Sequence, residues 1–569
     1  MMLSGCDKKY IWPPAIYIDM FIRKTQNWII FLIFLFKPFL SFSQFVTHGP
    51  VVGGLTESGA RIYVRTSKPM PGKLVLDQAG QKSSWDFTTT TERDNSTIID
   101  VDGLKSNTFY SIQFFFSSEK PDSLGGSFTT FPKPGEAGNY VFVTGSCQES
   151  ENMKTFDRMA ELKPRMMIHT GDFTYPSYQM GDEYPFTYAS VQESFRRRYQ
   201  EKRMKEMLRT VPIAYIADDD DGWGCAYEEG SAGVRVEMQQ RGKKKKKAIV
   251  NKLFSTKYSQ IERTNCKRGY VENFPGYALV DSSDGFYHSF VMGNCEFIFL
   301  DTRFTADLNY RNFKYDSLKN HWTFEPDSNV RLISKKQMEW AKRKLKESKA
   351  DWKFFVCGLP FNQNLKHLID LGIKTQDIIA GDAGEKGTGL RIASSFSQYW
   401  AGFPYQSKEI LDWLKNNSIK DVIVISGDTH HNVMDDGTNG GLPEINASGL
   451  AVAGTHLAYY MNKFCKLMGY PRYDKFIWNH GGGGLKGNKN FKNQFGKVEV
   501  MGKEKVRLSV VDENNLTLAV MDIPHSSLNL APKKKPTYFK KLERRYARSK
   551  PTSWIRFAKF MARIIFKQS

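Results

Sequence analysis

The seven cysteines of this 569-residue chain (Cys6, Cys147, Cys225, Cys266, Cys295, Cys357 and Cys465) include no CxxC pair and no regular spacing. That excludes a zinc ribbon, a thioredoxin-type motif and a disulfide framework. No apolar run approaches the ~18 residues that a membrane-spanning helix needs, so a polytopic membrane protein is excluded too. No internal repeat is visible. Acid is short relative to base: 60 Asp and Glu face 81 Lys and Arg, a net charge of +21. Such an excess suits an acidic partner, whether nucleic acid, a membrane surface or a phosphate-rich substrate. What is present is apolar material. Hydrophobic residues make up 40% and aromatics 14%, ample for a large packed core and incompatible with a disordered chain. The length suggests roughly three to four domains, or one large α/β unit with a small module.

Met20-Phe21-Ile22-Arg23-Lys24 precedes an apolar run, Trp28 to Phe36, that Lys37 and Pro38 close. A basic start and a short apolar stretch read as a secretory signal peptide with Met20 as the initiator, and hence as a secreted, periplasmic or envelope protein of a bacterium. Residues 45–134 alternate apolar and polar positions between turn residues such as Glu57-Ser58-Gly59 and Asp102-Gly103. They predict a small antiparallel β-sandwich of the Ig/Fn3 kind. Residues 135–531 predict a large α/β domain, with helices over 191–209 and 335–348. Lys243 to Lys247 reads as a solvated loop. Residues 532–569 hold thirteen Lys/Arg against Glu543 alone, so this tail carries +12 of the net +21. Its Trp554–Lys567 stretch mixes apolar and basic residues at helical spacing and could lie on an anionic membrane surface. No nucleic-acid motif accompanies the charge, which makes nucleic acid an unlikely partner. The oligomeric state is not legible.

Within the α/β part, apolar strand-like runs end in chemically loaded tips. Tyr140–Thr144 leads to Gly145-Ser146-Cys147, Arg165–His169 to Gly171-Asp172, and Val211–Ala217 to Asp218-Asp219-Asp220-Asp221. Cys295–Leu300 leads to Asp301-Thr302-Arg303, and Asp421–Ser426 to Gly427-Asp428-Thr429-His430. In open α/β sheets, ligands bind beyond the carboxyl ends of the strands. Asp172, the aspartates 218–221, Asp428 and His430 form the ligand inventory of a two-metal hydrolase. Singly, each has a plainer reading: Cys147 a buried small side chain, Tyr175 a core tyrosine, 218–221 a solvated acidic turn. Asp301 and Arg303 are structural or, for Arg303, suited to a phosphate oxygen. His431 reads as a supporting or substrate-facing neighbour. Gly481 to Gly484 reads as a loop.

Gly145-Ser146-Cys147-Gln148, His169–Tyr175, Asp218-Asp219, Phe290–Arg303, Ser426–His431 and Glu444–Gly449 together resemble the PhoD-like alkaline phosphatase D family of metallophosphoesterases. The resemblance implies a four-layer α/β/β/α domain behind a small β-sandwich. It implies that Cys147, Tyr175, Asp172 (bridging), Asp219 with Asp218 beside it, Asp428 and His430 hold metals. Fe³⁺ and Ca²⁺ are the implied ions, with Mn²⁺ or Zn²⁺ as alternatives. The implied activity is hydrolysis of a phosphate ester, monoester or diester, by in-line attack of an activated hydroxide. Asp220 stands where the family carries His, the candidate acid for the leaving group. Gly222-Trp223-Gly224-Cys225 departs from the family's following residues, and Ala217 stands where it has Trp. The candidate catalytic residues are therefore Asp220, Arg303 and His431. The rival expectation is a catalytically degenerate envelope-binding protein.

Overall fold

The computed structural model describes residues 45–526 apart from 118–120, 149–150, 152, 177–186, 223–259, 308, 317, 319–320, 377–387, 451–461, 463–464, 466–470 and 482–491. The expected signal peptide, the lysine run, Trp223-Gly224-Cys225, Gly482–Gly484 and the basic tail lie outside the described residues.

Seven strands open the described chain: β1 (Val46–Gly53), β2 (Ala60–Thr66), β3 (Met70–Gln78), β4 (Gln81–Thr89), β5 (Ser96–Val101), β6 (Phe109–Phe115) and β7 (Gly126–Thr129). They form two antiparallel sheets, ordered β1-β2-β5 and β4-β3-β6-β7. Period-2 alternation buries Ile62 and Val64 of β2 and Leu74 and Leu76 of β3 between them. Tyr63 breaks the alternation and is also buried, because its outer face is covered by Tyr199 at 5.0 Å between ring centroids.

The remaining strands build two larger sheets. The first contains β8 (Asn139–Gly145), β9 (Met167–His169) and β10 (Ile213–Tyr215), mutually parallel, then β20 (Gln494–Met501), β21 (Lys505–Asp512) and β22 (Thr517–Pro524) in antiparallel succession beside β8. The second runs β11 (His288–Met292), β12 (Cys295–Leu300), β15 (Trp352–Cys357), β16 (Val422–Ser426), β18 (Pro443–Ala447), β17 (Asn432–Asp436) and β19 (His480–Gly481). Its central four strands, β12, β15, β16 and β18, are parallel. Between β12 and β15, Phe313–Asp316 (β13) and His321–Phe324 (β14) form a separate hairpin.

Side-chain alternation shows how the sheets stack. Phe297, Phe299, Phe354, Val356, Ile423 and Ile425 belong to one apolar cluster with Phe142 and Val498 of the first sheet. The intervening Ile298, Leu300, Phe355, Cys357, Val422 and Val424 belong to a second cluster. Phe142 meets Phe297 and Phe354 edge-on at 5.3 Å, joining the sheets face to face. Helices cover the outer faces. α1 (Lys154–Glu161), α2 (Tyr188–Gln200), α3 (Lys202–Leu208) and α4 (Gln260–Asn273) flank the first sheet. α5 (Lys335–Glu347), α6 (Lys366–Lys374), α7 (Thr388–Ser397) and α8 (Pro404–Asn416) flank the second. This is the four-layer α/β/β/α arrangement expected. Among the described residues, no helix is long and apolar enough to cross a membrane.

One helical expectation needs correction. The segment 191–209 is two helices, broken at Glu201, whose backbone is extended at ψ 119°. The buried Glu201 carboxylate accepts from Gln148 Nε2 at 3.2 Å, and its carbonyl accepts the first bond of α3, from Lys205 N at 2.7 Å. The Glu201 carboxylate thus meets Gln148 of a distant loop as well as Arg198 of its own helix, at 3.8 Å. The helix expected over 335–348 forms as α5, its first turn capped by the Ser334 hydroxyl accepting from Gln337 N at 3.0 Å. The sandwich packs directly on the α/β part. Tyr277 Oη donates to Leu55 O at 2.7 Å, Arg61 Nη1 to Gly276 O at 2.7 Å and Ser127 N to Arg209 O at 2.8 Å. The two parts share one apolar cluster.

Candidate metal centre

The strands of both large sheets end at the same place. Cys147 follows β8, Asp172 follows β9 and Asp218–Asp221 follow β10; Arg303 follows β12, and Asp428 and His430 follow β16. The loops approach closely because their small residues allow it. A Cβ on Gly427 would stand 2.7 Å from Thr170 Oγ1, and one on Gly358 would meet the Asp218 carboxyl carbon at 2.6 Å. Main-chain bonds lace the loops together: Cys147 N to Gly171 O at 3.2 Å, Gln148 N to Asp172 O at 3.0 Å and Gly427 N to Gly358 O at 2.8 Å.

Potential ligand atoms gather in two overlapping groups, each within 4.8 Å of one another: Cys147, Asp172 and His430, and Asp172, Asp218, Asp219 and Asp428. Asp172 belongs to both, the position a bridging carboxylate needs. Asp172 Oδ2 lies 3.5 Å from Cys147 Sγ. Tyr175 sits beside them. Burial pushes its phenol well up, and the charges of Asp172 and Cys147 push it further. Cys147, Asp172, Tyr175, Asp428 and His430 all have left-handed backbone, with φ of 62°, 56°, 48°, 65° and 56°. They are five of the thirteen non-glycine residues so placed among the described residues. Conformations this sparsely populated cluster at functional sites.

The four consecutive aspartates do different things. Asp219 to Asp221 form one tight helical turn. Asp221 is a collector of N–H groups. Its Oδ1 accepts from Phe173 N and Thr174 N at 2.8 Å and from Thr174 Oγ1 at 3.1 Å. Its Oδ2 accepts from Asp172 N at 2.8 Å and Asp218 N at 2.9 Å. Asp218 is fully buried, and its Oδ2 has no hydrogen-bond partner. Asp219 and Asp220 stand at the partly exposed rim with His430. Asp220 N donates to Asp172 Oδ1 at 3.0 Å.

Arg303 is buried inside this cluster. Nε pairs with Asp218 Oδ1, Nη2 donates to Asp428 Oδ1 at 3.2 Å and Asp219 Oδ1 at 3.3 Å, and Nη1 donates to Gln398 Oε1 at 3.0 Å. Asp301 aims that loop by accepting from Arg303 N at 2.8 Å, Phe304 N at 2.9 Å and Phe286 N at 2.9 Å. Thus the structural reading of Asp301 stands, and Arg303 is a partner of the carboxylates. The His431 ring is buried against Tyr473 at 5.4 Å, with Nδ1 against Thr429 O at 2.5 Å, and burial lowers it to about 4. His169 is a core residue between Phe173 and Tyr215, lowered by burial to about 3.

One guanidinium stands among the carboxylates of Asp172, Asp218, Asp219, Asp220 and Asp428, so negative charge is in excess. Burial first, then mutual repulsion, pushes Asp172, Asp220 and Asp428 above the usual carboxylate range; burial does the same to Asp218 despite the opposing pull of Arg303. Burial also pushes the Cys147 thiol up. Cations would reverse every one of these shifts. The donor sets fit two kinds of ion. Thiol, imidazole and carboxylate suit a transition metal, and the carboxylate-only group, with Asp218 Oδ2 unpartnered, suits a hard cation.

Glu444, Asn446 and Ser448 were quoted within a motif but given no role by the sequence. All three are fully buried and bonded to the loop that carries Asp428. Their signal was available: three polar residues at period 2 in a strand buried on both faces must find buried partners.

Alkaline phosphatase D from Bacillus subtilis (strain 168) is 24% identical over 351 residues, 59% of this chain. The match spans about half, 53%, of that protein's length. A solved structure of PhoD overlays 93% of this chain and 98% of its own, at TM-score 0.57 and 15% identity, and so shares the fold. A purple acid phosphatase from yellow lupin (Lupinus luteus) seeds overlays 85% of this chain and 76% of its own, with 11% identity and a TM-score of 0.48. The statistical description of the PhoD-like phosphatases matches residues 141–453, more than half of the chain and every loop of the site, and the chain belongs to that family.

Proposed function

We propose that the chain is an exported, metal-dependent phosphoesterase. The observation that carries this reading is the convergence, at the ends of strands from two sheets, of two ligand groups that share Asp172, Cys147 with His430 and Asp218 with Asp219 and Asp428, the atoms of each group within 4.8 Å of one another. Cys147, Asp172, Tyr175 and His430 would hold a transition ion, and Asp172, Asp218, Asp219 and Asp428 a harder one. Bound there, the ions would supply a water of lowered pKa and neutralise charge on the phosphoryl oxygens. Arg303 keeps the carboxylates of Asp218, Asp219 and Asp428 in register. Asp221 fixes the backbone that presents Asp172 and Asp218. Asp220, at the partly exposed rim, would give a proton to the leaving-group oxygen.

Purified protein supplied with iron and Ca²⁺, or with Mn²⁺, is expected to hydrolyse a chromogenic phosphate ester, and the Asp172→Ala protein is not. No turnover with any metal or ester sinks the reading. A second reading, a non-catalytic envelope-binding protein, is favoured by one observation: Asp220 in place of the family's His. Activity that appears only in Asp220→His supports it. Export follows from the N-terminal apolar run, and fractionation of cells producing the full chain tests it.

A further inference from the structure

Three strand-borne side chains reach the ligand loop from below, and one of them grips it on both sides of a ligand. Along β18, Glu444, Asn446 and, just beyond its end, Ser448 share a face, because alternate residues of a strand do. Glu444 Oε1 accepts from Ser426 Oγ at 2.5 Å and from Phe361 N at 2.9 Å. Ser448 Oγ accepts from His431 N at 3.2 Å and lies 3.2 Å from Thr429 Oγ1. Between them, Asn446 Nδ2 donates to Gly427 O at 2.6 Å and Ser426 Oγ at 3.0 Å, while its Oδ1 accepts from the Thr429 hydroxyl. The residues before and after Asp428 are therefore tied to a single amide, and Asp428 itself is held at φ 65°.

We propose that Asn446 is a positioning residue of the metal centre: it sets where Asp428 and His430 present their ligand atoms. The proposal rests on the functional reading above. The side chain must give and accept at once, which an amide does and a carboxylate does not. An Asp in its place would lose both donated bonds and bring another anion beside Asp428. An Ala would take one buried partner from each of the Gly427 carbonyl and the Thr429 hydroxyl, leaving the first only Thr429 N at 2.9 Å and loosening the hold of the strand on the loop. Because the loop is bent into a sparsely populated conformation, it has an easy way to relax once that grip is lost. Ligands reached through such outer partners commonly lose affinity for the metal when the partner is removed.

The test is a metal competition titration on the full chain, with Mn²⁺ and then Ca²⁺ against a chromogenic chelator, alongside thermal melts with and without metal. Asn446→Ala is expected to weaken metal binding by roughly 10- to 100-fold and to narrow the gap between metal-loaded and metal-free melting temperatures. Thr429→Val removes the hydroxyl on the other side of the same grip and is expected to weaken binding in the same direction. The double variant is expected to lose little more than Asn446→Ala alone. Unchanged affinity in a folded Asn446→Ala protein overturns the proposal, and so do losses that add in the double variant. Should Asn446→Ala fail to fold, unchanged affinity in Thr429→Val overturns it instead. No metal binding by the unsubstituted chain overturns the functional reading together with the proposal.

Discussion

Arg303 reaches Asp218 across the two sheets: its Nε pairs with that carboxylate while Nη2 donates to Asp428 Oδ1, on its own sheet, at 3.2 Å. One planar guanidinium therefore holds a carboxylate from each half of the site. A lysine has no such fork.

Removing that fork leaves buried carboxylates without their counter-charge. Arg303→Met is expected to destabilise the metal-free protein by about 3–5 kcal/mol, the usual consequence of breaking a buried ion pair from one side. Arg303→Lys recovers only part. Urea melts in chelator check this; a change below about 1 kcal/mol would show that the guanidinium is not what steadies the cluster.

Asp221 accepts four N–H groups and one hydroxyl. Asparagine keeps one acceptor oxygen and turns a donor toward at least two buried N–H groups. At ~1–3 kcal/mol for each unsatisfied group, Asp221→Asn is expected to lower stability by roughly 3 kcal/mol. It should also weaken metal binding through Asp172 and Asp218, whose amides it holds. Thermal melts and the same metal titration read both effects, and a fully stable variant with normal affinity counts against the assignment.

If Asp220 donates the leaving-group proton, its loss matters only where the leaving group is poor. Asp220→Asn is expected to slow hydrolysis of an alkyl phosphate by about 100-fold and that of a nitrophenyl phosphate hardly at all. Asp220→His is expected to restore the alkyl ester. Equal losses on both esters would remove the proton-donor role.

Burial raises Glu444 from its ordinary 4.5 to about 8, so the folded protein holds a proton there that the unfolded chain has released. The stability from this group is full below pH 4.5 and is lost as pH rises to about 8. Glu444→Gln keeps an oxygen for Ser426 Oγ and Phe361 N and does not titrate. It is expected to match the parent at pH 5 and to exceed it in stability at pH 9 by up to a few kcal/mol. Melts across pH decide this; parallel curves for the two proteins would refute it.

The strand tips were legible because each apolar run stops at a polar cluster. β12 begins and ends where the sequence places it, at Cys295 and Leu300, since side chains buried on both faces leave a continuous apolar run. The partners of those strands were not legible. β20 lies beside β8 although some 350 residues separate them in the chain, and nothing local records that pairing. Nor could the sequence divide the labour among four adjacent aspartates. Asp218 and Asp221 differ only in which way a single tight turn points them. Arg303 carried two open readings, because whether a guanidinium meets phosphate or protein carboxylates depends on three loops that converge only in the fold. The break at Glu201 was hidden for the same reason: the carboxylate there meets Gln148, on a distant loop.

The left-handed backbone at Cys147, Asp172, Tyr175, Asp428 and His430 has a consequence for how this chain can change. Glycine adopts that conformation without strain, and β-branched residues scarcely adopt it at all. A substitution such as His430→Gly relaxes the chain and breaks none of the ion pairs named above, so in the absence of metal the disabled protein should melt later than the competent one. Drift toward glycine at these positions would be rewarded by sturdiness and opposed only by need for the ligands, whereas drift toward valine or threonine would be opposed twice.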